Sequence, residues 1–276
     1  PYFRLLLPAA CAAAMIAASC SGNTSDGSTG PEGITDFNIQ EVIKTASRSY
    51  RLITPYDTVF LELSTTLQWP QKLGKVEIDS LQSHLLRTAY DFNGSDPDNA
   101  IIAFLTDFDL FDDSITATVV DTIPKRDDPT GLYEMMVTAN VLELTSMGIT
   151  YNVSSMSYLG GAHPNTVASP FTYIFDARKV LTAENAFVAG SEPYIEQAIR
   201  ESLAAQYNVK PSRLTDAGFF SNEIPMASSI YASQGCLVFH YNHYEIAPYS
   251  QGAIDVEVHP FAIRRWLTPL AASYFE

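Results

Sequence analysis

Imidazoles, thiols, hydroxyls and carboxylates are the groups from which catalytic and metal sites are built, and in this sequence their spacing selects no such site. The five histidines are His84, His163, His240, His243 and His259. His240 and His243 resemble a ligand pair. On a strand, however, side chains alternate between faces, so an odd spacing sends the two rings to opposite sides. The Val, Phe and Tyr content around them and Pro248 beyond argue against the helix that would reunite them. A zinc ion held by His163, His243 and a carboxylate such as Glu245 would satisfy ligand chemistry, but nothing in the spacing favours that set. His84 lies beside an apolar stripe and reads as a boundary histidine. No metal and no cofactor are expected. Ser, His and Asp all occur, without Gly-x-Ser-x-Gly, Ser-x-x-Lys, His-Glu-x-x-His or a glycine-rich phosphate loop, so no catalytic residue is assigned. Residues 91–100 (DFNGSDPDNA) space acidic and amide side chains as a calcium loop would. Their glycine is fourth rather than sixth, and Ile102 stands where a bidentate Glu is required, so they read as a polar loop.

Cys20 is the one residue to which the sequence assigns a covalent chemistry. Arg4 precedes LLLPAACAAAMIAAS, an apolar run of about 15 residues, which is short for a membrane span and suits the core of a signal peptide. Ala17, Ala18, Ser19 and Cys20 then resemble the lipobox of bacterial lipoproteins, in which the cysteine thiol takes a diacylglyceryl group. Residues 1–19 are therefore expected to be a signal peptide. The mature chain is expected to be exported and held at the bacterial cell envelope by the lipid on Cys20, facing the periplasm or lying at the outer-membrane surface. Residues 20–33, rich in Gly, Ser, Thr and Asn, read as a flexible tether. With Cys20 acylated, Cys236 has no disulfide partner. It sits in the apolar run GCLVFHY, where a cysteine acts as a small buried hydrophobe.

The formal charge is -15, and because Arg4 is the only charge among the first 19 residues the remainder carries -16. That disfavours nucleic acid, and none is expected as a partner, since such binding draws its affinity from clustered Lys and Arg. It serves solubility and would also steer a basic partner.

Hydropathy patterning predicts an α+β fold of antiparallel sheets, each packed by one or two helices, with two halves of similar strand-helix-strands order. Val59, Leu61, Leu63, Leu67 and Trp69 share one parity of a half-buried strand that ends in a turn at 70–75, and Glu62, Ser64, Thr66 and Gln68 share the other. Ile78, Leu81, Leu85, Leu86 and Ala89 then fall on one helix face. Asp96 is placed to cap a helix near Pro97 with Ile101, Ile102 and Leu105 inward. The acidic run Asp107, Asp109, Asp112 and Asp113 reads as a solvated loop. Strands are expected over 114–123, 132–145 and 149–158, and another through Phe171, Tyr173 and Phe175. Thr182 caps a short helix reaching Phe187, and Glu192 with Pro193 opens a longer one carrying Ile195, Ala198, Ile199 and Leu203. Residues 235–244 and 253–259 form a last antiparallel pair. A final helix near Pro260 turns Ile263, Leu267 and Leu270 inward.

Two turns stand out. Residues 158–165 (YLGGAHPN) follow a strand, and residues 241–252 (YNHYEIAPYSQG) join the last strand pair. Gly160 and Gly161 can supply backbone angles that a side chain forbids. Tyr158, His163, Tyr244, Glu245, Tyr249 and Gln251 lie in or beside the turns, and tyrosines favour recognition surfaces because they are large, rigid and polar-tipped. Together with FTYIFDARKVLTAENAF at 171–187, these turns resemble the extracellular domain of RsiV-type anti-sigma factors, so 156–276 is expected to be an RsiV-like domain. Residues 34–155, with WPQKLG followed by a helix, resemble the accessory domain of PdaC-type peptidoglycan deacetylases, whose catalytic domain is not recognised here. The RsiV outer domain binds lysozyme. The resemblance therefore implies a non-catalytic, lipid-anchored binding module for a basic cell-wall hydrolase such as lysozyme, with those six residues as its candidate contact set. Neither the sigma-binding segment nor the transmembrane helix of that family is recognised, so anti-sigma activity is not implied. The alternatives are a lipoprotein that binds peptidoglycan or another cell-wall glycan and, third, a cryptic hydrolase.

Overall fold

The computed structural model describes residues 39–106, 114–124 and 131–276; the stretches expected to be signal peptide and tether, Cys20 between them, and the acidic run at 107–113 lie outside them. The first strand, β1 (Ile39–Ile53), pairs antiparallel along its whole length with β2 (Thr58–Leu73). The alternation in β2 is as expected, with Val59, Leu61, Leu63, Leu67 and Trp69 buried. The strand does not end at residue 70. Pro70 is tolerated inside it because a bulge between Gln40 and Glu41 falls opposite, and because β2's other neighbour pairs only as far as Leu67. Strand β1 escapes the sequence patterning although β2 follows it across the turn at 54–57, since Ile43 lies on its exposed face while Lys44 and Arg48 lie on its half-buried one.

Two helices follow. Helix α1 (Asp79–Tyr90) buries Leu81, Leu85, Leu86 and Ala89, the predicted stripe. In α2 (Pro97–Thr106) the Asp96 carboxylate accepts hydrogen bonds from the amides of Asp98 at 2.9 Å and Asn99 at 3.3 Å, so the residue caps as expected. Its buried residues are Ala100, Ile101 and Leu105; Ile102, expected inward, is 56% exposed because its position turns away from the sheet.

Strand β3 (Thr116–Val120) adds to the free side of β1 and is solvated on both faces. Strands β4 (Leu132–Leu144) and β5 (Gly148–Tyr158) form the expected hairpin, and β4 runs parallel to β2, a pairing that the helices between them make possible. Short strands β6 (Asn165–Ala168) and β7 (Phe171–Ile174) pair with β5, and β8 (Lys179–Val180) with β7, giving eight strands in all.

All four residues of β7 are buried, because two cores meet there. The first gathers α1, α2 and the sheet face beneath them; the second starts at Ile174 and runs to Ala271. Residue 155, where the halves were divided in sequence, lies within β5. The second core contains α3 (Ala183–Ala186), whose capping box joins Thr182 and Asn185, and α4 (Glu192–Gln206), which buries Ile195, Ile199 and Leu203 as predicted. It also holds a three-stranded antiparallel sheet of β9 (Ser229–Ser233), β10 (Cys236–Tyr241) and β11 (Ile254–Val258). The final helix is broken into α5 (Pro260–Ile263), a 3-10 turn at Arg264–Trp266 and α6 (Pro269–Tyr274), since Pro269 cannot donate within a continuous helix. The fold class is thus α+β, with largely antiparallel sheets packed by helices. Among the described residues no helix is long and apolar enough to cross a membrane.

Candidate functional site

The two turns singled out in the sequence meet in the fold, and a side chain outside the six candidates joins them. Asn242, just past β10, pairs its amide with Ala168 at the end of β6. Its Oδ1 accepts from the Ala168 amide at 2.7 Å, and its Nδ2 donates to the Ala168 carbonyl at 2.9 Å. One side chain therefore imitates a strand neighbour and fixes 241–252 against the segment that leaves 158–165. The carbonyl of Pro164 completes the join, accepting from His163 Nδ1 at 2.9 Å and from the Tyr249 hydroxyl at 3.1 Å.

These anchors build a layered aromatic group. The His163 ring stacks on Tyr249 at 3.8 Å between centroids and the His243 ring at 4.5 Å, with Tyr244 tilted against the same phenol at 5.8 Å. Only one ring fits on each face of a phenol at such distances, so His163 and His243 lie on opposite sides of Tyr249. A ring between them prevents the two imidazoles from sharing an ion, which removes the zinc arrangement considered in sequence. No group of three metal-ligating side chains occurs among the described residues. Tyr244 is 56% exposed and its φ is 67°, in the left-handed region that bulky residues avoid. Beside it Glu245 is exposed, while Tyr241 beneath is buried; burial first, then the Glu245 and Glu196 carboxylates, push its phenol pKa up.

The six candidate residues therefore separate. His163, Tyr244 and Tyr249 share the stacked group, and Glu245 neighbours it. Gln251 points inward, donating to the Ala217 carbonyl at 3.0 Å and lying where a side chain on Gly218 would collide with it; its role is to hold a loop. Tyr158 donates to the Gly161 carbonyl at 3.1 Å and lines a different feature, a cleft of about 710 Å³ shared with Tyr56 and Tyr133. Sequence reading missed His243 by treating it only as a ligand, and Asn242 because its role depends on a contact across 74 residues. His240, the other half of the apparent pair, is buried and donates to Asp255 at 2.7 Å. His84 is half-buried with its ring edge-on to Phe171 at 4.5 Å, as a boundary histidine would be. The arrangement offers a rigid aromatic surface rimmed by a carboxylate, a geometry suited to contact with a partner.

Comparison with known proteins gives a family match over one segment and a likeness of fold. Residues 182–260, from the cap of α3 through β11, match the model of a family described as a protein of unknown function, DUF3298. Two solved structures of that family share the fold. A Bacteroides fragilis member has 17% identity and a TM-score of 0.65, covering 88% of this chain and 98% of its own. A Pseudomonas aeruginosa member has 15% identity and a TM-score of 0.55, covering 86% and 96%. No curated protein matches the sequence.

Proposed function

We propose that this protein is a lipid-anchored lipoprotein of the bacterial cell envelope that acts by binding, and that the 158–165 and 241–252 turns form the contact surface for a basic cell-wall hydrolase of the lysozyme kind. The observation that carries this reading is Tyr244, a large aromatic side chain held at positive φ with its ring in solvent. Backbone strain of this kind costs about 1–3 kcal/mol and concentrates where function requires it. Three features support it further: the stack behind Tyr244, which preorganises the surface; the formal charge of -15, which would draw a cationic protein; and the likeness of both turns to the RsiV outer domain. In this reading the accessory half is PdaC-like and the lipid on Cys20 keeps the surface at the membrane.

Calorimetric titration of the full chain with lysozyme, at low salt and near 0.15 M, tests it. Saturable binding should persist at the higher salt. Replacement of Tyr244 or Glu245 by Ala should weaken it, the former by about tenfold or more if the ring is an anchor. Binding that disappears with salt would return the acidity to a role in solubility.

A further inference from the structure

The cleft beside Tyr158 lies at the end of the large sheet; it shares the 158–165 turn with the stacked group but is lined by none of the stacked rings. One wall is the turn between β1 and β2, residues 54–57 (TPYD). Thr54 holds this turn through both its amide and its hydroxyl. Its amide donates to the Asp57 carbonyl at 2.9 Å, its hydroxyl donates to the same carbonyl at 2.9 Å, and that hydroxyl accepts from the amides of Tyr56 at 3.2 Å and Asp57 at 2.9 Å. The Asp57 carboxylate in turn accepts from the Thr58 amide at 2.6 Å. Such a turn is rigid, yet the residue at its tip, Tyr56, is 97% exposed. A bonded turn that presents an unpacked ring makes no contribution to the core; it makes sense as a platform.

The other walls fit that role. Tyr133 enters from the start of β4 and Tyr158 from the end of β5. Gly160 and Gly161, at φ 89° and 109°, carry the backbone past them without side chains that would narrow the space, and a Cβ on Gly160 would already touch the Tyr133 ring at 3.6 Å. The Tyr158 hydroxyl is tied to the Gly161 carbonyl, so its ring is oriented in advance. Volume near 710 Å³ lies within the roughly 300–1,000 Å³ of small-ligand sites.

We propose that this cleft binds a short neutral oligosaccharide, with Tyr56 as the platform for one sugar ring and Tyr133 and Tyr158 lining the space for its neighbours. A pyranose ring turns a face of weakly positive C–H groups toward the negative face of a phenol, while its hydroxyls bond with tyrosine hydroxyls and exposed backbone. Asp57 at the rim and the strongly acidic chain disfavour a polyanionic glycan.

The test titrates the full chain, near 0.15 M salt, with chitotetraose, with cellotetraose and with tetragalacturonate as the anionic member. Saturation by either neutral tetrasaccharide is expected, weakened about tenfold in Tyr56→Ala, the loss of one stacked ring. Since Tyr56 is almost wholly solvated, that variant should melt at the wild-type temperature, which separates lost binding from lost fold. Preference for chitotetraose assigns the cleft to acetamido-bearing glycans of the cell-wall type, and preference for cellotetraose to plain glucans. No saturation by either, tighter binding of the galacturonate, or unchanged affinity in Tyr56→Ala overturns the proposal. Tyr56 lies outside both aromatic turns, so the outcome stands apart from the lysozyme measurement.

Discussion

A tyrosine at φ 67° occupies a backbone position that glycine would take at lower cost. Among the described non-glycine residues with positive φ, the others are Asp91, Arg178, Asn208 and Gln234, and Tyr244 is the only aromatic. The usual order of substitution should therefore invert there. Elsewhere alanine stabilises relative to glycine by restricting the unfolded chain; at residue 244 the Cβ clash of the left-handed region outweighs that gain. Tyr244→Gly should unfold in urea at about 1 kcal/mol higher stability than Tyr244→Ala, with both lacking the ring. Equal stabilities, or the reverse order, would mean that the turn relaxes once the ring is gone and that the strain belongs to the side chain rather than the backbone.

Helix α1 shows how an element sets the chemistry of one residue. Packing against β7 places His84 edge-on to Phe171 and half-buries it. Burial first, and the nearby Arg87 guanidinium second, lower its pKa from the ordinary 6.5. The unfolded chain then binds a proton more readily than the folded one, so stability falls as pH drops below about 6.5 and continues to fall until the folded-state pKa is passed. His84→Gln, which cannot charge, should flatten thermal melting temperature against pH in that window relative to wild type. An unchanged slope would show that the ring titrates freely. The helix itself was legible, because its stripe repeats at 3.6 residues and needs only local information. Strand β1 was not, because Ile43 and Ile53 lie on its exposed face while Lys44 and Arg48 lie on its half-buried one, so residue type does not alternate with burial.

At the scale of the whole molecule, the two sheets are joined by a small buried polar network. The hydroxyls of Thr150 on β5 and Thr172 on β7 lie 2.7 Å apart; Thr150 donates to the Ala232 carbonyl at 2.8 Å, and Thr172 accepts from the Ala232 amide at 2.7 Å. Both threonines are buried, and Ala232 belongs to β9 of the smaller sheet. Each polar group has its partner, so removing one leaves others exposed to the low dielectric of the interior. Thr172→Val keeps the shape but strands the Ala232 amide, and should cost about 1–3 kcal/mol in urea unfolding. A loss within about 0.5 kcal/mol, as for ordinary surface substitutions, would mean that water replaces the hydroxyl and that packing alone joins the sheets.

Periodicity, caps and turn residues determined the α+β class, the buried faces of α1 and α4, the caps at Asp96 and Thr182, and the pairing of β10 with β11, because each depends on neighbours within a few turns or across one hairpin. The importance of 158–165 and 241–252 was also visible, through paired glycines and clustered aromatics. Their meeting was decided by tertiary structure alone: Asn242 bonds to Ala168, and Tyr249 to Pro164, across more than 70 residues. The fold also sorted the six candidates, turning Gln251 inward and sending Tyr158 to the cleft, and it brought His243, outside that set, to the stack. Residue type specifies what a side chain can do, but which neighbours it does it with depends on packing that no local pattern encodes.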